Sequence, residues 1–267
     1  MRHAIAIWNY CWDPAGLPAW IHAFADHGFD AVSFHPDPFA DGPTAEVEAA
    51  ARAVRERGMV ATVHGACGMS RRGAERIADA LRDRLIVFSI DAAWRDGPQG
   101  PEVDARRTAI GLAEARRLAA PVGAWVAVED FPLDAAALIR ARSEAGDGWD
   151  QPRTGILLDI GHLHLRRSGD PRFAGVSVAD YVAGPALPLV EVHLHDNHGE
   201  RDEHGHLGHG NVPFDEVAAA LRAVGFDGVS TIEIAPSFHG STPEASRERA
   251  IESVAAWRAL LRPRPTA

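Results

Sequence analysis

Cysteine is scarce: Cys11 and Cys67 are the two thiols in 267 residues, so no disulfide framework can be built and a reducing compartment is the easier fit. Each reads as a small buried hydrophobe. Long apolar runs are missing too. None approaches the roughly 20 residues of a membrane helix, and the polar-flanked HAIAIWNY at the start is too short for a signal peptide. A cytoplasmic protein with no membrane partner is expected. Basic residues are outnumbered, 27 against 37 acidic, and the formal net charge of -10 argues against the broad phosphate-binding surface that nucleic acid requires. Linkers and low-complexity blocks are lacking as well. One domain over 1–267 is therefore expected, with Arg262–Ala267 as a frayed tail.

What is present is a repeating alternation. Strand-length apolar runs lie at His3–Tyr10, Ala31–His35, Met59–Gly65, Arg84–Asp91, Ala124–Asp130, Thr154–His162, Val190–Asn197 and Val229–Ile234. Between and after them come segments of helical period at Pro18–His27, Thr44–Arg57, Arg71–Arg82, Asp104–Ala119, Leu133–Ala145, Val178–Gly184, Asp215–Val224 and Pro243–Leu261. Helix signals punctuate them: Thr44 and Pro213 at starts, and Gly28, Gly58 and Gly225 just past ends. The same junction is written twice, as GFDAVSF at 28–34 and GFDGVST at 225–231. Eight strand–helix alternations with short links predict an α/β fold, a (β/α)8 TIM barrel.

In such a barrel the active site lies at the C-terminal ends of the strands. Here those ends carry Trp8-Asn9-Tyr10, His35, His64, Ser89 and Asp91, Glu129-Asp130, Asp159 and His162, His193 and His195, and Glu233. Glu129 in AWVAVED and Glu233 in STIEI are carboxylates in apolar strands, costly to bury without a cation or donor beside them. In the strand from Val190, Glu191, His193 and His195 share one face. The glycine-rich loop beyond adds Asp196, Asp202, His204, His206 and His209. Imidazole and carboxylate without thiolate are the ligand types preferred by Zn, Mn, Fe or Co. Trp8, Trp12 and Trp94 could wall a small polyol, and Arg201 is the basic residue of the loop that could meet a phosphate or carboxylate.

In this order the motifs VED (128–130), LDIGH (158–162), HLHDN (193–197), DEHGHLGHG (202–210) and TIEI (231–234) resemble the xylose-isomerase-like barrel superfamily. That superfamily includes sugar isomerases, sugar 3-epimerases, inosose dehydratases and apurinic-site endonucleases. The resemblance spans essentially the whole chain. It implies a metal site of Glu129, Asp159, His193 and Glu233, a second site of His162, Asp202 and His204, and substrate-side roles for His64, His162, His195, Arg201 and Trp8. His193 is expected as the ligand and His195 as its neighbour toward substrate. Two features depart from the endonuclease pattern: FSID offers Ser89 or Asp91 where a bridging His is expected, and LGHG stands where LGEG is usual.

The chemistry implied is that of an isomerase or epimerase of a sugar, sugar phosphate or inosose. One or two divalent ions (Mn, Zn, Co, Mg or Fe) would acidify the C–H beside a carbonyl and stabilise the enediolate, while Glu129 and Glu233 exchange the proton. The same arrangement with loss of a hydroxyl gives a dehydratase, and two or three zinc ions give an apurinic-site phosphodiesterase. A carbohydrate is the expected partner. Homo-oligomers are common among such relatives.

Overall fold

A parallel sheet with helices against it must be apolar on both faces, and the strands of this chain are buried almost throughout. In the computed structural model they close into a barrel. The structure describes residues 1–97, 100–129, 152–171, 173–184 and 187–262. The barrel strands are β1 (Arg2–Ala6), β2 (Ala31–Phe34), β3 (Val60–Gly65) and β4 (Leu85–Asp91). A two-stranded antiparallel hairpin follows outside the ring, β5 (Trp94–Gly97) and β6 (Gly100–Val103). The ring is completed by β7 (Trp125–Glu129), β8 (Thr154–Asp159), β9 (Leu189–Leu194) and β10 (Val229–Ile232), with β1 closing against β10 from Arg2↔Val229 to Ile5↔Ile232.

Eight helices are described around it: α1 (Leu17–Ala25), α2 (Thr44–Glu56), α3 (Arg71–Ala80), α4 (Ala105–Ala119), α5 (Ile160–Gly169), α6 (Val178–Ala183), α7 (Phe214–Ala223) and α8 (Pro243–Leu261). Their apolar faces meet the outside of the sheet in one core that includes Ile5, Phe24, Phe34, Phe88, Leu112, Val192, Leu221 and Trp257. Gly28 and Gly225, the glycines of the repeated junction, adopt φ 91° and 66° just past α1 and α7. A side chain resists that left-handed turn, and glycine makes it freely.

The expected boundaries shift where one element runs into the next. The run Thr154–His162 is strand to Asp159 and then becomes α5 with no loop between, so His162 stands in a helix. His3–Tyr10 likewise stops being strand at Ala6 and turns through a short 3-10 segment at Ile7–Asn9. The segment Leu133–Ala145, Asp130 and the tail after Arg262 lie outside the described residues. No helix among those described is long and apolar enough to cross a membrane.

The interior of the barrel is layered, and the layering places the site. At the N-terminal end Ala4, Ala31, Val87, Ala127, Leu157 and Val229 form a small apolar plug. One residue pair further along, the inward positions become polar. Glu191 of β9 accepts from Thr231 Oγ1 of β10 at 2.7 Å, Thr62 Oγ1 of β3 at 3.2 Å and Ser89 Oγ of β4 at 3.3 Å. β9 and β3 are not neighbours in the ring, so this carboxylate is bonded across the lumen. The next inward positions are His64, Glu129, Asp159, His193 and Glu233.

Candidate metal centre and active site

All four residues of the expected first site meet at the C-terminal mouth. His193 is fully buried, and its Nδ1 lies 2.7 Å from Glu233 Oε2, 3.9 Å from Glu129 Oε2 and 4.0 Å from Asp159 Oδ2. Asp159, His193 and Glu233 offer ligand atoms that all lie within 4.8 Å of one another, a spacing that suits one divalent ion, and Glu129 joins this group from the His193 side. Behind the ring, Nε2 of His193 faces Glu191 Oε1 at 3.7 Å. A carboxylate there favours the Nε2–H tautomer and turns the Nδ1 lone pair toward the other three groups.

Whether a cation suits this set is tested by its unsatisfied atoms. Asp159 Oδ2, both ring nitrogens of His193 and both of His195 are buried with no hydrogen-bond partner. Close approaches exist, such as His195 Nε2 to Asp159 Oδ1 at 3.0 Å, but the rings are not aligned for hydrogen bonds. Buried polar atoms are ordinarily paired. Carboxylate oxygens and imidazole nitrogens converging without aligned bonds are a donor set suited to a borderline divalent ion.

The second group, on the loop side of the first, is His162, His195, Asp202 and His204, whose ligand atoms all lie within 4.8 Å of one another. His204 Nδ1 donates to the Glu233 carbonyl at 2.9 Å, which leaves Nε2 facing Asp202 Oδ2 at 3.1 Å. His162 lies between the two groups, with Nδ1 3.2 Å from Glu129 Oε1 and Nε2 3.3 Å from Asp202 Oδ2. Its place is set by Asp159, whose Oδ1 accepts from His162 N at 2.7 Å and so caps α5 while Oδ2 stays in the site. Gly161 lies under His195, and a Cβ there would collide with that ring.

His64 is brought in on the far side. Its Nε2 lies 3.0 Å from Asp91 Oδ1 and 3.3 Å from Glu129 Oε2, and its ring stacks on Trp8 with centroids 5.9 Å apart. From the sequence Asp91 is expected only as a strand-end residue or a departure from a bridging His, and Glu191 is given no role. Asp91 fills the end of β4 where a bridging His was expected. Glu191 shared the inward face of β9 with His193, but a mid-strand glutamate alone carries no signal. Arg201 is placed apart. Its side chain is 83% exposed, its Nε donates to Glu203 Oε1 at 3.1 Å, and it meets the site only at a side cavity of about 140 Å³ that Asp202 also lines. Asp196 is spent on the backbone, accepting from Asn197 N, Gly208 N and Val212 N.

The electrostatics follow from crowding in a buried space. Burial pushes the Glu129 carboxyl up, and the neighbouring Asp91 and Asp159 add to this. Burial also works against ionised Glu233, but the His193 and His204 imidazoles override it and hold that carboxyl down to about 2. Asp159 is likewise held well below the carboxylate range by His162, His195 and His193, against burial. For His64 and His204 burial opposes the proton, yet Asp91 beside the first and Asp202 with Glu233 beside the second raise both to about 9. The sign is that of a raised folded pKa. In metal-free protein this stabilisation is complete below the unfolded value near 6.5 and is lost as pH rises through about 9. The Tm of chelator-treated protein should therefore fall between pH 6.5 and 9. Metal binding in that window should release protons, because ligation needs neutral imidazole. Thermal melts with and without chelator, and calorimetry in buffers of different ionisation enthalpy, measure both; a flat Tm with no proton release would contradict this assignment.

Comparison with known proteins settles the family. The xylose isomerase-like TIM barrel model matches residues 21–260. The chain belongs to that family. Against uncharacterised protein MJ1311 of Methanocaldococcus jannaschii it is 37% identical over 84 residues, 32% of this chain and 27% of that one. The match thus spans about a quarter of that relative. Among solved structures, the D-psicose 3-epimerase of Clostridium cellulolyticum H10, described with D-tagatose, superposes with TM-score 0.71 at 14% identity, covering 98% of this chain and 100% of that one. The probable 3-DHS dehydratase AsbF of Bacillus anthracis gives 0.65 at 12%, covering 99% and 100%. The IolI protein, described with a bound zinc atom, gives 0.61 at 14%, covering 98% of each chain.

Proposed function

We propose that this chain is a divalent-metal-dependent sugar isomerase or epimerase that moves a proton on a carbon next to a carbonyl. The observation that carries the reading is the convergence of Glu129 and Glu233 on His193 and Asp159, with the buried Asp159 and His193 atoms left unbonded. The named epimerase, dehydratase and zinc-bearing relatives share the barrel and support the class. Glu129, Asp159, His193 and Glu233 would hold the ion. When bound, it would supply Lewis-acid stabilisation of negative charge on adjacent carbonyl and hydroxyl oxygens.

The remaining work falls to the protein. Glu129 and Glu233 approach His193 from β7 and β10, on opposite sides of β8 and β9 in the ring. One can take the proton from one face of a planar intermediate while the other returns it. In metal-free protein their surroundings differ, burial and the nearby Asp91 and Asp159 raising the Glu129 carboxyl while His193 and His204 hold the Glu233 carboxyl down. His64 and His162 flank Glu129 and hold its two oxygens apart in known directions. Trp8 stacked on His64 gives that wall an apolar face for the carbon side of a sugar. The chain contains no lysine, so a lysine Schiff base is not available as an alternative route.

The test is proton exchange. Incubated in D2O with a panel of ketoses, their phosphates and inososes, the metal-loaded protein should incorporate deuterium beside the carbonyl, and the product should be an epimer or isomer. A dehydrated product would move the assignment to a lyase on the same site. No exchange with any carbohydrate would overturn the reading. A second reading is favoured by the His162–His195–Asp202–His204 group and by Asp91 beside His64, which would suit several ions acting on a phosphodiester. Incision of an abasic DNA duplex at low salt would establish it; the chain's acidity argues against it.

A further inference from the structure

The loop that follows β9 carries metal-type side chains on both of its faces. Asp202 and His204 turn into the barrel mouth. Glu203, between them, turns the other way. There His198 Nδ1 is 2.8 Å from Glu203 Oε2 and His209 Nε2 is 3.5 Å from the same oxygen, with ligand atoms of all three within 4.8 Å of one another. His239, from the turn after β10, lies against His209 with ring centroids 4.7 Å apart. The chemistry of this group is separate from that of the mouth, because none of its members belongs to either group described there.

We infer that His198, Glu203 and His209 form a peripheral divalent-cation site, of the class that zinc occupies, which fastens the loop bearing Asp202 and His204. Two imidazole nitrogens and one carboxylate oxygen are the common ligand set of a zinc site with an open position. That position faces solvent, since the His198 side chain is 52% exposed, while Glu203 is 10% exposed. A merely hydrogen-bonded cluster accounts less well for the crowding. The rings of His198, His206 and His239 all lie within 5.6 Å of His209, and Arg201 Nε already holds the other oxygen of Glu203. The backbone is prepared for such a clasp: Asp196 and Gly205 exchange two backbone hydrogen bonds at 2.8 Å, and Asn211 N donates to Asn197 O at 3.0 Å. Gly205 lies against the His209 ring, where a Cβ would collide with it.

The proposal does not depend on the sugar chemistry, and its test counts metal rather than turnover. Chelator-stripped protein is titrated with Zn2+ alone, and bound zinc per chain is measured after dialysis for the wild type, Glu203→Gln, His209→Ala and Asp159→Asn. Glu203→Gln and His209→Ala should each bind one equivalent less than the wild type, or bind it at least ten-fold more weakly. Asp159→Asn should lose a different equivalent, so that combining it with His209→Ala loses both. Hydrogen exchange over residues 198–210 should slow on zinc addition in the wild type and not in His209→Ala. Circular dichroism identifies variants that are folded, and Glu203→Gln keeps the shape of the loop should His209→Ala fail to fold. Unchanged stoichiometry and affinity in folded Glu203→Gln and His209→Ala would overturn the proposal.

Discussion

Glu129→Gln and Glu233→Gln should each lower kcat for proton exchange on the order of 10³-fold, with the barrel intact. Glutamine has the size of glutamate but neither takes nor returns a proton at neutral pH. Both positions sit at the ends of strands whose packing lies elsewhere, so the substitution leaves the core untouched. At Glu233 the variant keeps the backbone carbonyl bonded by His204 Nδ1 and loses the charge that faces His193 Nδ1 at 2.7 Å. At Glu129 the amide would face His64 Nε2 and His162 Nδ1; the imidazole facing the amide nitrogen can take the tautomer that accepts, and the one facing the amide oxygen the tautomer that donates. The two variants should differ in a revealing way. With the proton acceptor on one face removed, a substrate of one configuration loses exchange while its epimer retains partial wash-in of solvent hydrogen. Measuring deuterium incorporation from both epimers resolves this. A folded variant with near-wild-type rate from either position removes that residue from the mechanism.

The barrel was legible because its period survives without context. Apolar runs of five to nine residues recur between segments of helical period, and the repeated GFD junctions mark the same turn at both ends of the chain. What escaped reading was where one residue serves two elements. Asp159 ends β8 and caps α5 at once, so no polar break separates strand from helix, and Ile160–His162, the first turn of α5, reads as the end of the strand run Thr154–His162. The β5–β6 hairpin was hidden for a different reason: WRDG and GPEV lack the apolar alternation of a half-buried strand.

The site divides in the same manner. Carboxylates at the ends of apolar strands announce themselves, because burial there demands a partner. Glu191 does not, since its meaning comes from residues that only barrel closure brings near, such as Thr62, and Asp91, though legible as a strand end, gains its partner His64 only in the folded barrel. Asp196 looked like one more loop ligand, and it is the loop's own organiser. The motif DEHGHLGHG points to Asp202 and His204, which do face the mouth, but it carries no sign that Glu203 between them faces the other way. Glu203 faces outward to His198, and His204 itself adopts φ 45°.

Asp159→Asn should abolish metal binding at the first site while sparing the fold. Asparagine keeps Oδ1 as the cap of α5, so the bond from His162 N at 2.7 Å can persist. It replaces Oδ2, the buried oxygen without a partner, by an amide nitrogen that repels a cation and faces His193 Nδ1 at 4.0 Å. Changes in the groups behind a ligand cost about 10–100-fold in metal affinity, and loss of an anionic ligand should exceed that. The consequence for stability follows from mass action. At a metal concentration of 100 Kd the wild type gains about 2.7 kcal/mol, and the variant should gain nothing from that site. In metal-free protein the order is set by charge instead: Asp159 is held ionised by His162, His195 and His193, so its stabilisation is present above the unfolded carboxylate range and is lost only as pH falls through its lowered folded value. At pH 7 the metal-free variant should therefore melt below the metal-free wild type, and the gap should widen when metal is added to both. Elemental analysis with paired thermal melts reads the two effects separately. A variant that retains the full metal complement and the metal-dependent rise in Tm would show that Asp159 serves the helix cap alone.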